Sequence, residues 1–232
     1  MSTKLKIAAA VAAAVLLSAC SSPKHEPMPL VKFTPSMEVT EVWSKGLSSA
    51  EGFLVPAVYD DMVFAAGGKT LTRLNARTGE TEWSVSFNSP ITGGVGSDGY
   101  VTAVGLWDGN LEVVDAEGKV SWEKKLTTEL ASPPVVSHGL VIARTMDTRV
   151  SAFEASSGEL QWTYQRSQPA LTVRLPTRML AHDNFLLVGQ PNGHIVILDI
   201  ASGKPMFEFQ VAQAKGVTEV ERLVDVVGAP AF

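Results

Sequence analysis

The chain has 232 residues, 45% hydrophobic and 19% charged, with 19 Gly, 13 Pro, one Cys and a net charge of −5 at pH 7. That balance belongs to a chain able to bury a core, one or two domains by length, and it excludes wholesale disorder and low complexity. A lone cysteine excludes an intramolecular disulfide framework, and the acidic charge disfavours nucleic acid or an anionic membrane surface as partner.

Residues 1–19 read as a signal peptide. Lys4 and Lys6 form a positive n-region, and the apolar run Ile7–Leu17 of eleven residues falls short of the ~20 that a spanning helix needs. Leu17-Ser18-Ala19-Cys20 resembles the bacterial lipobox, which implies a lipidated Cys20 at the mature N-terminus; a plain secretory signal cleaved near Ala19 is the alternative. One acyl chain holds a membrane only marginally, and the triacylated Cys of such lipoproteins supplies more than one. Ser21 after the cysteine implies, by resemblance to sorted lipoproteins, the outer membrane. Removing residues 1–19 takes away Lys4 and Lys6 and no acid, so 17 basic residues then face 24 acidic ones, a net charge of −7. Membrane binding is therefore expected to depend on lipid. Residues 20–39 hold the cysteine and a stretch with four prolines, and read as a tether in which His25 is solvated.

Beyond the tether the chain repeats itself. Tryptophans stand at 43, 83, 122 and 162, with Phe207 in the equivalent place of the last copy, at steps of 40, 39, 40 and 45 residues. Turn glycines at 79, 118, 158 and 203 keep nearly the same step. No stretch holds apolar residues at helical spacing for three turns, so a period near 40 with alternating residues predicts propeller blades rather than a helical solenoid. One unit reads Tyr100–Gly105 as a strand, a turn at Trp107-Asp108-Gly109-Asn110, a strand to Asp115, a turn at Ala116-Glu117-Gly118 and a strand from Val120. The fold class expected is all-β: four-stranded antiparallel blades at about 52–88, 90–127, 131–167 and 175–212, with the start of a fifth at 226–232.

Each repeating Trp is expected to pack between blades, since an aromatic buries roughly 150–250 Å². Trp107 breaks the register inside a turn and is a candidate contact residue. The longest step places extra residues in QRSQPALTVRLPTR, where Pro169 and Pro176 argue for a rim loop, and loops that depart from a repeat's minimum length tend to carry binding. Trp43 reads as part of a blade that is missing and Val226–Phe232 as the opening of another. The expectation is a truncated chain with two exposed blade faces.

LNARTGETEW, VDAEGKVSW, FEASSGELQW and the degenerate LDIASGKPMF resemble the repeat of pyrroloquinoline-quinone-type eight-bladed propellers, a fold shared by quinoprotein dehydrogenases and non-enzymatic scaffolds. SQPALTVRLPTR and QAKGVTEVERLVDV, with the lipobox and the proline-rich tether, look like the BamB family, lipoproteins of the machinery that assembles β-barrels in Gram-negative outer membranes. The resemblance covers essentially the whole chain and about the first 60% of a family member. It implies a scaffold that binds a BamA-type barrel subunit through its periplasmic POTRA domains, joins the other assembly-machinery lipoproteins and helps deliver unfolded outer-membrane proteins. The contact residues it implies are Leu171, Val173, Arg174 and Asp225. Val173 is a mild departure from the family's Leu, and Val227 stands where a second Asp is common. Two apolar anchors beside an Arg resemble an interface hot spot; Asp225 as a structural partner of Arg222 or Arg174 is the alternative.

The rival class is a PQQ-dependent quinoprotein oxidoreductase, which by resemblance would use a catalytic Asp with Ca²⁺ and often a Cys pair. No second Cys and no calcium-loop spacing occur in the sequence, and His138, His182 and His194 lie beside separate turns without metal-ligand spacing. No Gly-x-Ser-x-Gly elbow is present, and Gly93-Gly94-Val95-Gly96 lacks the Lys-Ser/Thr of a phosphate loop and reads as an inner strand near the propeller axis. No catalytic residue, cofactor or metal is expected. A propeller that recruits some other substrate shares everything except the two stretches at 167–178 and 213–226.

Overall fold

The computed structural model describes residues 28, 37–49, 53–167, 171–173 and 177–228. The chain divides into two units, 1–40, of which Met28 and residues 37–40 are described, and 41–232, which carries every described strand. No α-helix occurs among the described residues.

A two-residue strand, β1 (Phe53–Leu54), precedes the first sheet, β2 (Ala57–Tyr59), β3 (Met62–Gly67), β4 (Thr70–Asn75) and β5 (Thr81–Ser86). The second sheet holds β6 (Ile91–Ser97), β7 (Thr102–Leu106), β8 (Asn110–Val114) and β9 (Val120–Lys125). The third holds β10 (Val135–Ser137), β11 (Leu140–Arg144), β12 (Val150–Glu154) and β13 (Leu160–Tyr164), and the fourth β14 (Leu180–His182), β15 (Phe185–Gly189), β16 (His194–Asp199) and β17 (Pro205–Gln210). Within these sheets consecutive strands pair antiparallel, in chain order.

The first repeat differs from the simple four-strand plan. Residues 53–54 leave their own sheet and join β6 in parallel, Phe53 opposite Gly93 and Leu54 opposite Gly94, so the second sheet has five strands. Val55 closes this contact, its N–H donating to Gly94 at 2.9 Å and its carbonyl accepting from Val95 at 2.8 Å. Pro56, which has no N–H to continue the ladder, follows at once. The glycines of β6 permit the crowding. A Cβ at Gly93 would lie 2.7 Å from the Leu130 side chain, and one at Gly96 would lie 2.1 Å from the Pro134 carbonyl oxygen.

The core lies between sheets and follows from strand alternation. On β11, Leu140 and Ile142 pack with Leu186, Val188, Val196 and Leu198 of the fourth sheet. Val141 and Ala143 point the other way, to Ala103, Leu111 and Val113 of the second. The first and second sheets meet at Phe64, Leu71, Ile91, Val104 and Val114. Middle strands are therefore buried on both faces, whereas β5 and β9 alternate between exposed and half-buried residues.

Each outer pair carries the same irregularity. The ladder shifts between Arg73 and Leu74, Val113 and Val114, Ala152 and Phe153, and Ile197 and Leu198, always beside the residue opposite the repeating aromatic. Such a bulge bends a strand and re-aims its side chains. The aromatics then reach the next repeat. Trp43 donates its indole N–H to Ala76, Trp83 to Ala116, Trp122 to Ala155 and Trp162 to Ile200, at 2.8–2.9 Å. Each ring covers a turn glycine: a Cβ on Gly79, Gly118 or Gly158 would stand 2.7 Å from the indole, and on Gly203 2.4 Å. Phe207 is 61% exposed.

The turn beneath each ring explains the polar residue of the repeat. Asn75 accepts from the Arg77 and Thr78 amides, Asp115 from Glu117 and Lys119, and Asp199 from the Ser202 amide. These are Asx turns, in which a short side chain stands in for a backbone acceptor. Gly79, Gly158 and Gly203 donate four residues back, to Asn75, Glu154 and Asp199, while Gly118 donates three residues back to Asp115. That one-residue-shorter turn accounts for the single 39-residue step between tryptophans.

Candidate functional site

Two segments outside the regular sheets come together at one place. Leu171 and Val173 are 41% and 37% exposed. The Val173 N–H donates to Oδ2 of Asp225 at 2.5 Å, across 52 residues of sequence. Below Asp225 the chain joins the fourth sheet: the Val226 N–H donates to Gln190 at 3.1 Å, the Arg178 N–H donates to Gly228 at 3.2 Å, and Thr177 and Gly228 form a parallel bridge. Gly189 makes room for this, since a Cβ there would lie 2.8 Å from the Val226 carbonyl oxygen. Residues 226–228 thus lie against the opening of the fourth sheet, and 229–232 fall outside the described residues, as do Arg174 and Cys20.

Arg144, the last residue of β11, comes to the same place. It is 4% exposed, and it lines a cavity of about 30 Å³ together with Thr145, Thr172, Val173, Pro191 and Asp225. Its Nε and Nη1 atoms are buried without a hydrogen-bond partner, and so is Oδ1 of Asp225. Burial draws the Arg144 guanidinium down to about 10, with the Asp225 charge opposing. Burial pushes the Asp225 carboxyl up, while the Val173 N–H and the Arg144 charge pull it back. Arg222, the sequence's other candidate partner for Asp225, uses its own backbone N–H toward Thr218 and Glu219 and is exposed. Val227 is 44% exposed and borders the same cavity.

Arg144 carries no motif that singles it out in the sequence. The available signal is its place at the end of Leu-Val-Ile-Ala-Arg: an arginine closing a strand buried on both faces needs a counter-charge.

The remaining polar candidates lie apart. His138 meets the Ser137 hydroxyl at 2.8 Å, His182 faces Asp183 at 3.7 Å, and His194 Nδ1 lies 2.7 Å from Glu208, which also pairs with Arg166. Among the described residues no group of three His, Cys, Asp or Glu side chains could hold a metal ion. Trp107 is 63% exposed and borders a cleft with Asp108, Lys125, Glu129, Met146 and Asp147.

Stacked antiparallel sheets, a shared bulge and a tryptophan on each succeeding turn define a β-propeller of PQQ-type repeats. The same architecture is seen in a quinohemoprotein alcohol dehydrogenase from Pseudomonas putida, with a TM-score of 0.55 and 18% identity over 71% of this chain and 34% of that one, a likeness of fold alone. Over residues 67–232 the chain matches the family model described as outer membrane protein assembly factor BamB, and it belongs to that family. It is 39% identical to the outer membrane protein assembly factor BamB of Burkholderia pseudomallei (strain K96243) over 228 residues, covering 96% of this chain and 60% of that one. The crystal structure of BamB from Moraxella catarrhalis matches with a TM-score of 0.69 and 27% identity, over 81% of this chain and 59% of that one. The chain spans about 60% of the length of the curated relatives it matches.

Proposed function

We propose that this chain acts as a non-enzymatic scaffold in outer-membrane β-barrel assembly, anchored at the periplasmic face of the outer membrane by lipid on Cys20. Residues 1–19 would be removed as the signal peptide, and 20–39 would tether the propeller. On this reading Leu171, Val173, Arg174 and Asp225 dock the POTRA domains of a BamA-type barrel subunit, and unfolded outer-membrane proteins are the clients. Family membership supports the role. The observation that carries the site is the Val173–Asp225 hydrogen bond, which joins the two segments picked out by the sequence into one exposed patch with apolar anchors. Arginine is enriched at interface hot spots, and neighbouring side chains such as Leu171 and Val173 serve there to exclude water around it.

Capture of the chain on immobilised POTRA domains tests the reading. Leu171→Ala with Arg174→Ala is expected to abolish capture while the β-rich circular dichroism spectrum stays unchanged. Full capture by that double variant would remove these residues from the interface.

A further inference from the structure

We infer that Arg144 is a positioning residue for the docking patch: its buried guanidinium attracts the Asp225 carboxylate across the small cavity that both line, and Asp225 holds the 171–173 loop through the Val173 amide. The inference rests on the proposed docking function for what the patch binds, and on geometry for the rest. Three segments distant in sequence meet around one small cavity: the end of β11, the loop at 171–173 and the segment at 225–227. Arg144 is 4% exposed with Nε and Nη1 unpartnered, and Asp225 Oδ1 is buried and unpartnered on the same cavity.

Asp225 is half-buried, with its Oδ1 atom fully buried, and a buried guanidinium attracts such a carboxylate more strongly than the same pair would attract in water, because less solvent screens them. Without Arg144, the buried Oδ1 of Asp225 would face no described cation that balances it. A carboxylate in that position favours its neutral form. The protonated acid is the weaker acceptor, since charge-assisted hydrogen bonds are about twice as strong as neutral ones. The Val173 amide would be released and the patch would lose its preformed shape. Preformed loops bind more tightly because less ordering is left to binding.

Amide hydrogen exchange at Val173 is the direct readout, in the full chain in detergent, for Arg144→Met, Arg144→Lys, Asp225→Asn and the Met/Asn double variant. Arg144→Met is expected to speed Val173 exchange at least ten-fold while the Val141 and Ile142 amides of β11 keep their protection. Arg144→Lys, which keeps the charge, should stay within about three-fold of the unaltered chain. The double variant should exchange no faster than Asp225→Asn alone, because both changes remove one attraction, that between the two charges across the cavity. Unchanged Val173 exchange in Arg144→Met, or additive effects in the double variant, would overturn the inference. Should Arg144→Met fail to fold, the other two singles decide: Asp225→Asn must speed exchange ten-fold and Arg144→Lys must not.

POTRA capture by the same variants separates this inference from the docking reading. Faster Val173 exchange with full capture upholds the positioning role and removes the patch from the interface. Lost capture with unchanged exchange does the reverse.

Discussion

The indole N–H of Trp122 donates to the Ala155 carbonyl oxygen, 33 residues further on, at 2.8 Å, and the face of the same ring closes over Gly158. Neither contact exists within a single repeat. Gly158 has φ +71°, where an L side chain is strained, and a Cβ there would stand 2.7 Å from Trp122. Gly158→Ala is therefore expected to cost about 2–4 kcal/mol, strain and overpacking together. Gly139 also has φ +71°, but a Cβ added there would meet nothing within 4 Å, so Gly139→Ala should cost only the backbone term, about 1–2 kcal/mol. Urea unfolding of the two variants measures the difference, and equal costs would mean that the ring contact contributes nothing.

Trp162 and Phe207 hold equivalent places in successive repeats, yet they are 9% and 61% exposed. Trp162→Ala removes a buried aromatic from the core shared with Leu140 and Ile200, and about 3–5 kcal/mol is expected to go with it. Phe207→Ala should change stability by less than about 1 kcal/mol. Trp162→Phe, which keeps most of the packing and removes the bond to Ile200, should fall between them. Guanidinium unfolding of the three variants ranks them.

The neighbouring strands β6 and β7 offer a contrast of obstacles. A Cβ at Gly105 on β7 would press on the Leu130 side chain at 2.4 Å, whereas one at Gly96 would press on the Pro134 backbone carbonyl at 2.1 Å. Side chains can be cut back and backbone cannot. Gly105→Ala is expected to cost about 1–3 kcal/mol and to be partly rescued by Leu130→Ala, while Gly96→Ala should cost more and gain nothing from that second change. Thermal melts of the two single and two double variants provide the check.

Glu112 on β8 stands directly opposite Glu123 on β9 and is 8% exposed. Burial first, then the charges of Glu123 and Asp108, raise its carboxyl to about 7 from 4.5. Between those two values the folded chain holds a proton that the unfolded chain has lost, so stability falls as pH rises through that window and levels off above it. Glu112→Gln is expected to raise stability at pH 8 by about 1–2 kcal/mol, after allowance for solvent screening, and to have almost no effect at pH 4. Denaturation at the two pH values tests the sign.

Much of the frame was legible because its signals are local. Asx residues, positive-φ glycines and strand alternation act over a few positions, and they locate the turns at Asn75, Asp115 and Asp199. The β-bulge beside each aromatic was not legible, because a two-against-one pairing leaves no residue type as its mark. Nor was the parallel pairing of Phe53 with Gly93, which depends on a partner strand forty residues away. At the candidate site the exposed members came from family resemblance. Arg144 has no local mark in the sequence because its meaning depends on Asp225, far along the chain and unconnected to it by any period.

The two-sided burial of β11 has one more consequence. If that strand paired one residue out of step with β12, Leu140 and Ile142 would turn toward the second sheet, and Val141 and Ala143 toward the fourth. The smaller pair would leave gaps on one side while the larger pair collided on the other. A misaligned strand is thus rejected by both neighbours at once, and each sheet acts as a gauge for the alignment of the next.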